Sequence, residues 1–229
     1  MWIVAALESE LSLLKRRLAA EFQGKLGGYP YYKGKIGSKD VRLGVTGIGI
    51  SSACLALGAF ISLEMPHMAV MVGTAGAMPD SGLKICDMVT AEAEILSELG
   101  QVTAPGIGDT KQLKMKSLSQ EIDFDSLLTR SIYEAALSIG NVCLGKVLTV
   151  VGVSSQTSQA RKRAEFFKAV AENMEGYGLA LAGKHFGIKT SEIRGISNIA
   201  GDNDKSRWDF KGAREKAQMA LLEYLKKTF

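Results

Sequence analysis

Short, continuously apolar runs recur along this chain, and each stops at a cluster of glycine or polar residues. Trp2 to Leu7, Met68 to Val72 and Val142 to Val151 are the clearest, with Val89 to Leu96 and Glu192 to Ile199 similar in kind. Such a run, without polar alternation, suits a strand covered on both faces, and that arrangement places helices on both sides of a sheet. Helical spacing fills the intervals: Leu11, Leu14 and Leu18, then Ser51 to Leu63, Leu127 to Ile139, Gln156 to Val170, Tyr177 to Phe186 and Ala213 to Leu225. Tyr29 to Ile36 and Val41 to Val45 flank Gly37-Ser38-Lys39-Asp40, the composition of a hairpin turn. The expectation is one α/β domain over residues 1–229, three-layered α/β/α, with a mixed, mostly parallel central sheet. Neither an internal repeat nor a linker divides it.

Composition removes several functions. Only His67 and His185, with Cys54, Cys86 and Cys143 far apart, are available as soft ligands, so no metal site, organic cofactor or disulfide framework is expected. The formal charge of +4 includes no long basic run, which argues against nucleic acid. The first residues meet Glu8 and Glu10 at once, so neither a signal peptide nor a membrane span is expected, and the scattered cysteines suggest a reduced, cytoplasmic protein. The 25 glycines, about 11% against an average near 7%, predict tight turns and close backbone approaches.

In an α/β sheet, ligands sit beyond the strand ends. Four such places carry chemistry: Glu8-Ser9-Glu10, Gly73-Thr74-Ala75-Gly76 where the Met68 strand is expected to stop, Asn173-Met174-Glu175-Gly176, and Ser197-Asn198. Each also has an ordinary explanation. Glu8 and Glu10 suit the positive end of a helix dipole, Thr74-Ala75-Gly76 a tight turn, Glu175 a solvated helix start, and Asn198 a turn. Neither GxGxxG nor GxxxxGK[ST] occurs here, so no dinucleotide or ATP fingerprint is present. Between Gly100 and Gln120 the chain is polar and punctuated by Gly and Pro, and long for a loop, which makes it a candidate lid or subunit contact.

Taken together and in order, Ala6-Leu7-Glu8-Ser9-Glu10, Thr46-Gly47-Ile48-Gly49, Gly73-Thr74-Ala75-Gly76, Asn173-Met174-Glu175 and Arg194-Gly195-Ile196-Ser197 resemble the nucleoside phosphorylase and nucleosidase superfamily across essentially the whole chain. Within it, Ser197-Asn198 and the tail Gly201-Asp202-Asn203-Asp204-Lys205-Ser206-Arg207-Trp208-Asp209 resemble the futalosine hydrolases. The resemblance implies hydrolysis of an N-glycosidic bond through an oxocarbenium-like sugar. By that resemblance Glu10 activates the water, Glu175 binds the ribose hydroxyls, and Asn198 engages the base, while Ala6, Ile48, Thr74, Ala75, Gly76, Val153, Met174 and Trp208 line the pocket. Val153 stands where an aromatic residue is expected, and Trp208 is equally compatible with a core position. Arg207, Lys205 or a basic residue of the 100–120 segment are candidates for the substrate's carboxylated far end. Family members form dimers or larger homo-oligomers, so the partners expected are a small nucleoside and a second copy of the chain.

Asn198 departs from the Asp of the adenine-cleaving nucleosidases. Hypoxanthine presents acceptors at N7 and O6, and an amide offers two donors without a raised pKa, which favours a 6-oxopurine. Met71 and the acidic first loop replace the arginines that hold phosphate in the phosphorylases, so water is the expected nucleophile. The reading is hydrolysis of futalosine to hypoxanthine and dehypoxanthine futalosine in menaquinone biosynthesis. The alternatives are a methylthioadenosine/adenosylhomocysteine nucleosidase, a purine nucleoside phosphorylase, and a non-catalytic nucleoside binder, which has no need of Glu10.

Overall fold

The first apolar run forms β1 (Trp2–Ala5), buried on both faces, in a computed structural model that describes residues 1–103, 106–111 and 119–229. Trp2 and Val4 pack with α2 (Ile50–Leu63) and α5 (Gly176–Phe186). Ile3 and Ala5 point the other way, against α1 (Ser12–Arg17), α3 (Ser126–Ala136) and α6 (Phe210–Thr228). The two-residue period of the strand thus distributes one run between two cores, and three layers result. The α6 face that closes the second core is Ala217, Ala220, Leu221, Leu222, Tyr224 and Leu225. Its buried Gln218 accepts from the Leu13 and Leu14 amides at 2.8 and 3.2 Å, and so satisfies donors that the start of α1 leaves unpaired.

β1 lies parallel between β4 (Lys39–Val45) and β5 (Met68–Ala77), and β12 (Lys189–Ile199) runs parallel beside β5. An antiparallel pair adjoins this parallel centre on each side, and parallel pairing resumes beyond it on the β12 side. Beyond β4 come β3 (Tyr29–Ile36) and β2 (Glu21–Leu26). On the other side, β12 meets β6 (Met88–Leu96), which carries β10 (Val142–Thr149) and then β11 (Ala169–Asn173). β11 also pairs with β5, at Ala171 with Ala77 and Glu172 with Gly76, so β5, β12, β6, β10 and β11 close into a ring. Short β9 (Glu121–Asp123) flanks β6, and β7 (Gln101–Thr103) pairs with β8 (Ile107–Asp109).

Two local expectations are corrected, and β2 is a strand for which there was none. β2 carried no apolar signal because most of its residues are exposed. The helix expected through Val170 is α4 (Thr157–Phe167), which ends at Lys168 with φ 57°, and the ring claims Ala169 to Asn173 as a strand. β5 does not stop at Val72; it runs through Gly73-Thr74-Ala75-Gly76, pairing Gly73 with Arg194 and Gly76 with Asn198. A Cβ on Gly73 would lie 2.6 Å from Arg194 Nη1 and 3.0 Å from Glu10 Oε1, so glycine there makes room for functional side chains rather than for a turn. Of the Gly100 to Gln120 segment, β7 and β8 are described; residues 104–105 and 112–118 of this proposed contact lie outside the described residues. No helix among the described residues is long and apolar enough to cross a membrane.

Candidate active site

A cleft of about 310 Å³ opens where β1, β5, β11 and β12 end or bend, a size suited to a small molecule. It gathers Glu10, Glu175 and Asn198 together with Ala6, Ile48, Thr74, Ala75, Gly76, Val153, Met174 and Trp208. His67 and His185 are exposed and lie outside it.

After β1 the chain folds into one short 3₁₀ turn, Glu8–Leu11, and that turn separates two glutamates only two positions apart in sequence. Glu8 faces solvent, bonded to Tyr32 Oη at 2.7 Å and paired with Lys15. Glu10 turns inward and is 5% exposed. Its Oε2 accepts from the Leu7 amide at 3.1 Å, the helix-start role that spacing alone suggests. Its Oε1 accepts from the Thr74 amide at 2.9 Å and from Thr74 Oγ1 at 3.2 Å, which fixes it beside the cleft. Burial raises its pKa above the ordinary carboxylate value and the Glu175 charge adds to that, against Arg194 and the two backbone donors.

Glu175 sits at the start of α5. Asn173 Oδ1 accepts from the Glu175 and Gly176 amides, both at 2.8 Å, and holds the turn. Glu175 Oε1 then accepts from the Gly49 amide at 2.9 Å, and Oε2 lies 3.4 Å from Arg194 Nη1. Gly49, at φ 89°, adopts the left-handed backbone that presents this amide.

Arg194 is 1% exposed and stands behind both carboxylates. It donates from Nε to Glu192, from Nη1 to Glu175 Oε2 and the Thr74 carbonyl, and from Nη2 to Met71 Sδ at 2.9 Å. Burial opposes its charge, but Glu192, Glu175 and Glu10 outweigh burial and raise its pKa. The motif Arg194-Gly195-Ile196-Ser197 by itself gives Arg194 no role. The available signal was an arginine within an apolar strand, which must be paired to be buried. Met71, which stands where the phosphorylases hold phosphate with an arginine, is buried and in contact with this guanidinium.

A register irregularity in β12 between Ile196 and Asn198 re-aims the Asn198 side chain. Ser197 Oγ bonds Asn198 Oδ1 at 2.8 Å, and Nδ2 donates to the Ile199 carbonyl at 3.2 Å. With Oδ1 engaged, the nitrogen is the group left for a ligand, and one N–H rather than the expected two remains free of protein partners. Trp208 is half-exposed, bonds the Asp202 carbonyl through Nε1 at 3.0 Å and meets Phe210 edge-on, which resolves its two readings in favour of the cleft wall. Ile48 and Val153, 58% and 57% exposed, form an apolar rim with Phe210 and Leu7. Arg207 is engaged by Asp202 and Asp204, whereas the acidic Glu172 is taken up by Ser154 and Arg163. Cys86 Sγ donates to Asp209 Oδ2 at 3.3 Å.

Arg194 is the single cation among the described lining residues, and its donors are turned to protein groups, whereas Glu10 and Glu175 each keep a face toward the cleft. Such a site can orient water and stabilise positive charge on a sugar, and it repels an anionic nucleophile.

The family model described as the phosphorylase superfamily matches residues 1–229. Futalosine hydrolase of Thermus thermophilus is 33% identical over 219 residues, covering 94% of each chain. A 5'-methylthioadenosine/S-adenosylhomocysteine nucleosidase of Staphylococcus haemolyticus is 26% identical over 232 residues, covering 99% of this chain and 98% of its own. Among solved structures, a futalosine hydrolase mutant of Helicobacter pylori superposes with a TM-score of 0.87 at 20% identity, over 99% of this chain and 98% of that one, which shows a shared fold.

Proposed function

We propose, from the premise that this chain belongs to the phosphorylase superfamily, that it is a purine nucleosidase whose substrate is futalosine, cleaved to hypoxanthine and dehypoxanthine futalosine in menaquinone biosynthesis. The observation that carries this reading is the pairing of two buried carboxylates, Glu10 and Glu175, with a neutral amide, Asn198, around one cleft.

Glu10, with its raised pKa, acts as the base that takes a proton from the attacking water. Glu175 accepts from the ribose hydroxyls and offsets the positive charge that develops as the bond to the purine breaks. Asn198 offers its remaining N–H to the acceptor edge, N7 and O6, of hypoxanthine, and an amide needs no protonation to do so. Ile48, Val153, Met174 and Trp208 supply apolar contact for base and sugar. Phosphate meets two carboxylates and no free cation among the described lining residues, which supports hydrolysis over phosphorolysis. The exposed apolar residues Leu55 of α2, Leu63 and Met65 support the expected homo-oligomer, since a second copy would bury them.

The test is base release from futalosine, methylthioadenosine and inosine, each with and without phosphate. Hypoxanthine release from futalosine, unaffected by phosphate, is the expected outcome. Preferential cleavage of methylthioadenosine would establish the second reading, which the near-complete alignment with the Staphylococcus haemolyticus nucleosidase keeps in view. Asn198→Asp is expected to move the kcat/KM ratio toward 6-amino purine nucleosides by about 10- to 100-fold, the worth of one buried hydrogen bond lost and another gained. An unchanged ratio removes Asn198 from base selection.

A further inference from the structure

Two wholly buried carboxylates, Glu94 on β6 and Glu192 on β12, have no part in the chemistry above. Both reach into the same space over Gly176, where a Cβ would collide with Glu94 Oε1 and Glu192 Oε2. Three of their four oxygens have donors. Glu94 Oε1 accepts from Asn173 Nδ2 at 2.5 Å, and Glu94 Oε2 accepts from Thr149 Oγ1 at 2.7 Å. Glu192 Oε1 accepts from Arg194 Nε and from Asn173 Nδ2 at 3.2 Å. Glu192 Oε2 is buried and has no partner. Two anions buried side by side repel each other, and a single proton between them removes the repulsion and supplies the missing donor.

We propose that Glu94 holds a proton that it donates to Glu192 Oε2, and that this carboxyl–carboxylate pair is a positioning clamp for Glu175. One arm of the clamp is Arg194, which Glu192 fixes through Nε and which reaches Glu175 Oε2. The other is Asn173, which donates to both members of the pair while its Oδ1 accepts from the Glu175 and Gly176 amides. The groups facing the pair are Arg194 from β12, Thr149 from β10, Asn173 from β11 and the first turn of α5, with Glu175 and Glu10 on the far side of Arg194. With the proton, this cluster sets three carboxylates against one guanidinium; without it, four. Burial holds the Glu94 pKa well above the ordinary value, and the Glu192 charge reinforces it, against Thr149, Arg194 and Asn173. The folded pKa is raised, so the stabilisation is complete in acid and is lost as pH rises through the folded value, and the alkaline limb of activity follows it.

The inference rests on the nucleosidase reading for its activity readout only. Glu94→Gln places a permanent N–H donor opposite Glu192 Oε2; Glu94→Ala removes it; Glu192→Gln removes the charge that holds Arg194. Glu94→Gln is expected to keep a kcat close to that of the parent, with the alkaline limb flattened. Glu94→Ala and Glu192→Gln are expected to lose about 10²-fold in kcat through misplacement of Glu175, with KM changed far less. Infrared spectra of the unliganded protein should show a protonated carboxyl band above the usual carboxylate range that survives Glu10→Gln and disappears in Glu94→Gln. Urea unfolding of Glu94→Gln should lose the alkaline fall in stability. If no nucleoside is cleaved, the functional reading fails while the infrared and unfolding results still decide the pair. Absence of the band, equal damage from Glu94→Gln and Glu94→Ala, or unchanged kcat in Glu192→Gln overturns the proposal; should Glu94→Ala not fold, Glu192→Gln and the band suffice.

Discussion

Replacing Glu10 by Gln is expected to lower kcat by about 10²- to 10⁴-fold, the usual worth of a positioned general base. Glutamine keeps the size of the side chain and an oxygen for the Thr74 donors, so the pocket should survive while the proton acceptor is lost. The pH profile separates this from simple distortion. Because burial raises the Glu10 pKa, activity in the parent should fall as pH drops through a value above the ordinary carboxylate range. The variant's residual activity should show no such limb. A kcat within a few-fold of the parent, or an unmoved acid limb, would assign water activation to another group.

Arg194→Leu should cost about 3–5 kcal/mol of folding stability, the scale for removing one partner of a buried ionic cluster. The arginine is almost wholly enclosed, and Glu192, Glu175 and Glu10 all depend on its charge. Leucine fills much of the volume, so the loss is chiefly electrostatic, and that fixes its pH dependence. Without the guanidinium, which opposes the raised Glu10 pKa, that carboxyl takes up a proton more readily in the native state, so the deficit should shrink as pH falls. Urea unfolding at several pH values checks both magnitude and trend; a deficit independent of pH would reduce Arg194 to a packing role. Arg194→Lys should not rescue, because a single ammonium cannot meet Glu192, Glu175, the Thr74 carbonyl and Met71 at once.

The carboxylates and amide were legible in the sequence because a polar residue that closes an apolar run stands where the sheet ends, and because their order resembles a known arrangement. Glu10 shows the boundary of that legibility. Spacing alone could not distinguish it from Glu8, since both suit a helix start, and only the turn at Glu8–Leu11 sends one outward to Lys15 and the other inward to Thr74. The roles of Arg194 and of the pair Glu94 and Glu192 are not legible in the sequence for a related reason. Each interrupts an apolar strand, and what makes a buried charge tolerable is a partner distant in sequence.

The sequence by itself determined the layered α/β plan, since unbroken apolar runs alternating with helical periodicity admit few other ways of burying both faces of a strand. It also determined which residue types meet at the strand ends. Tertiary structure decided the ring closed by β11 against β5, the passage of β5 through its glycines, and the clustering of four glutamates around one arginine. Those features depend on register between strands and on electrostatic compensation across the sheet, and neither has a local signature in the chain.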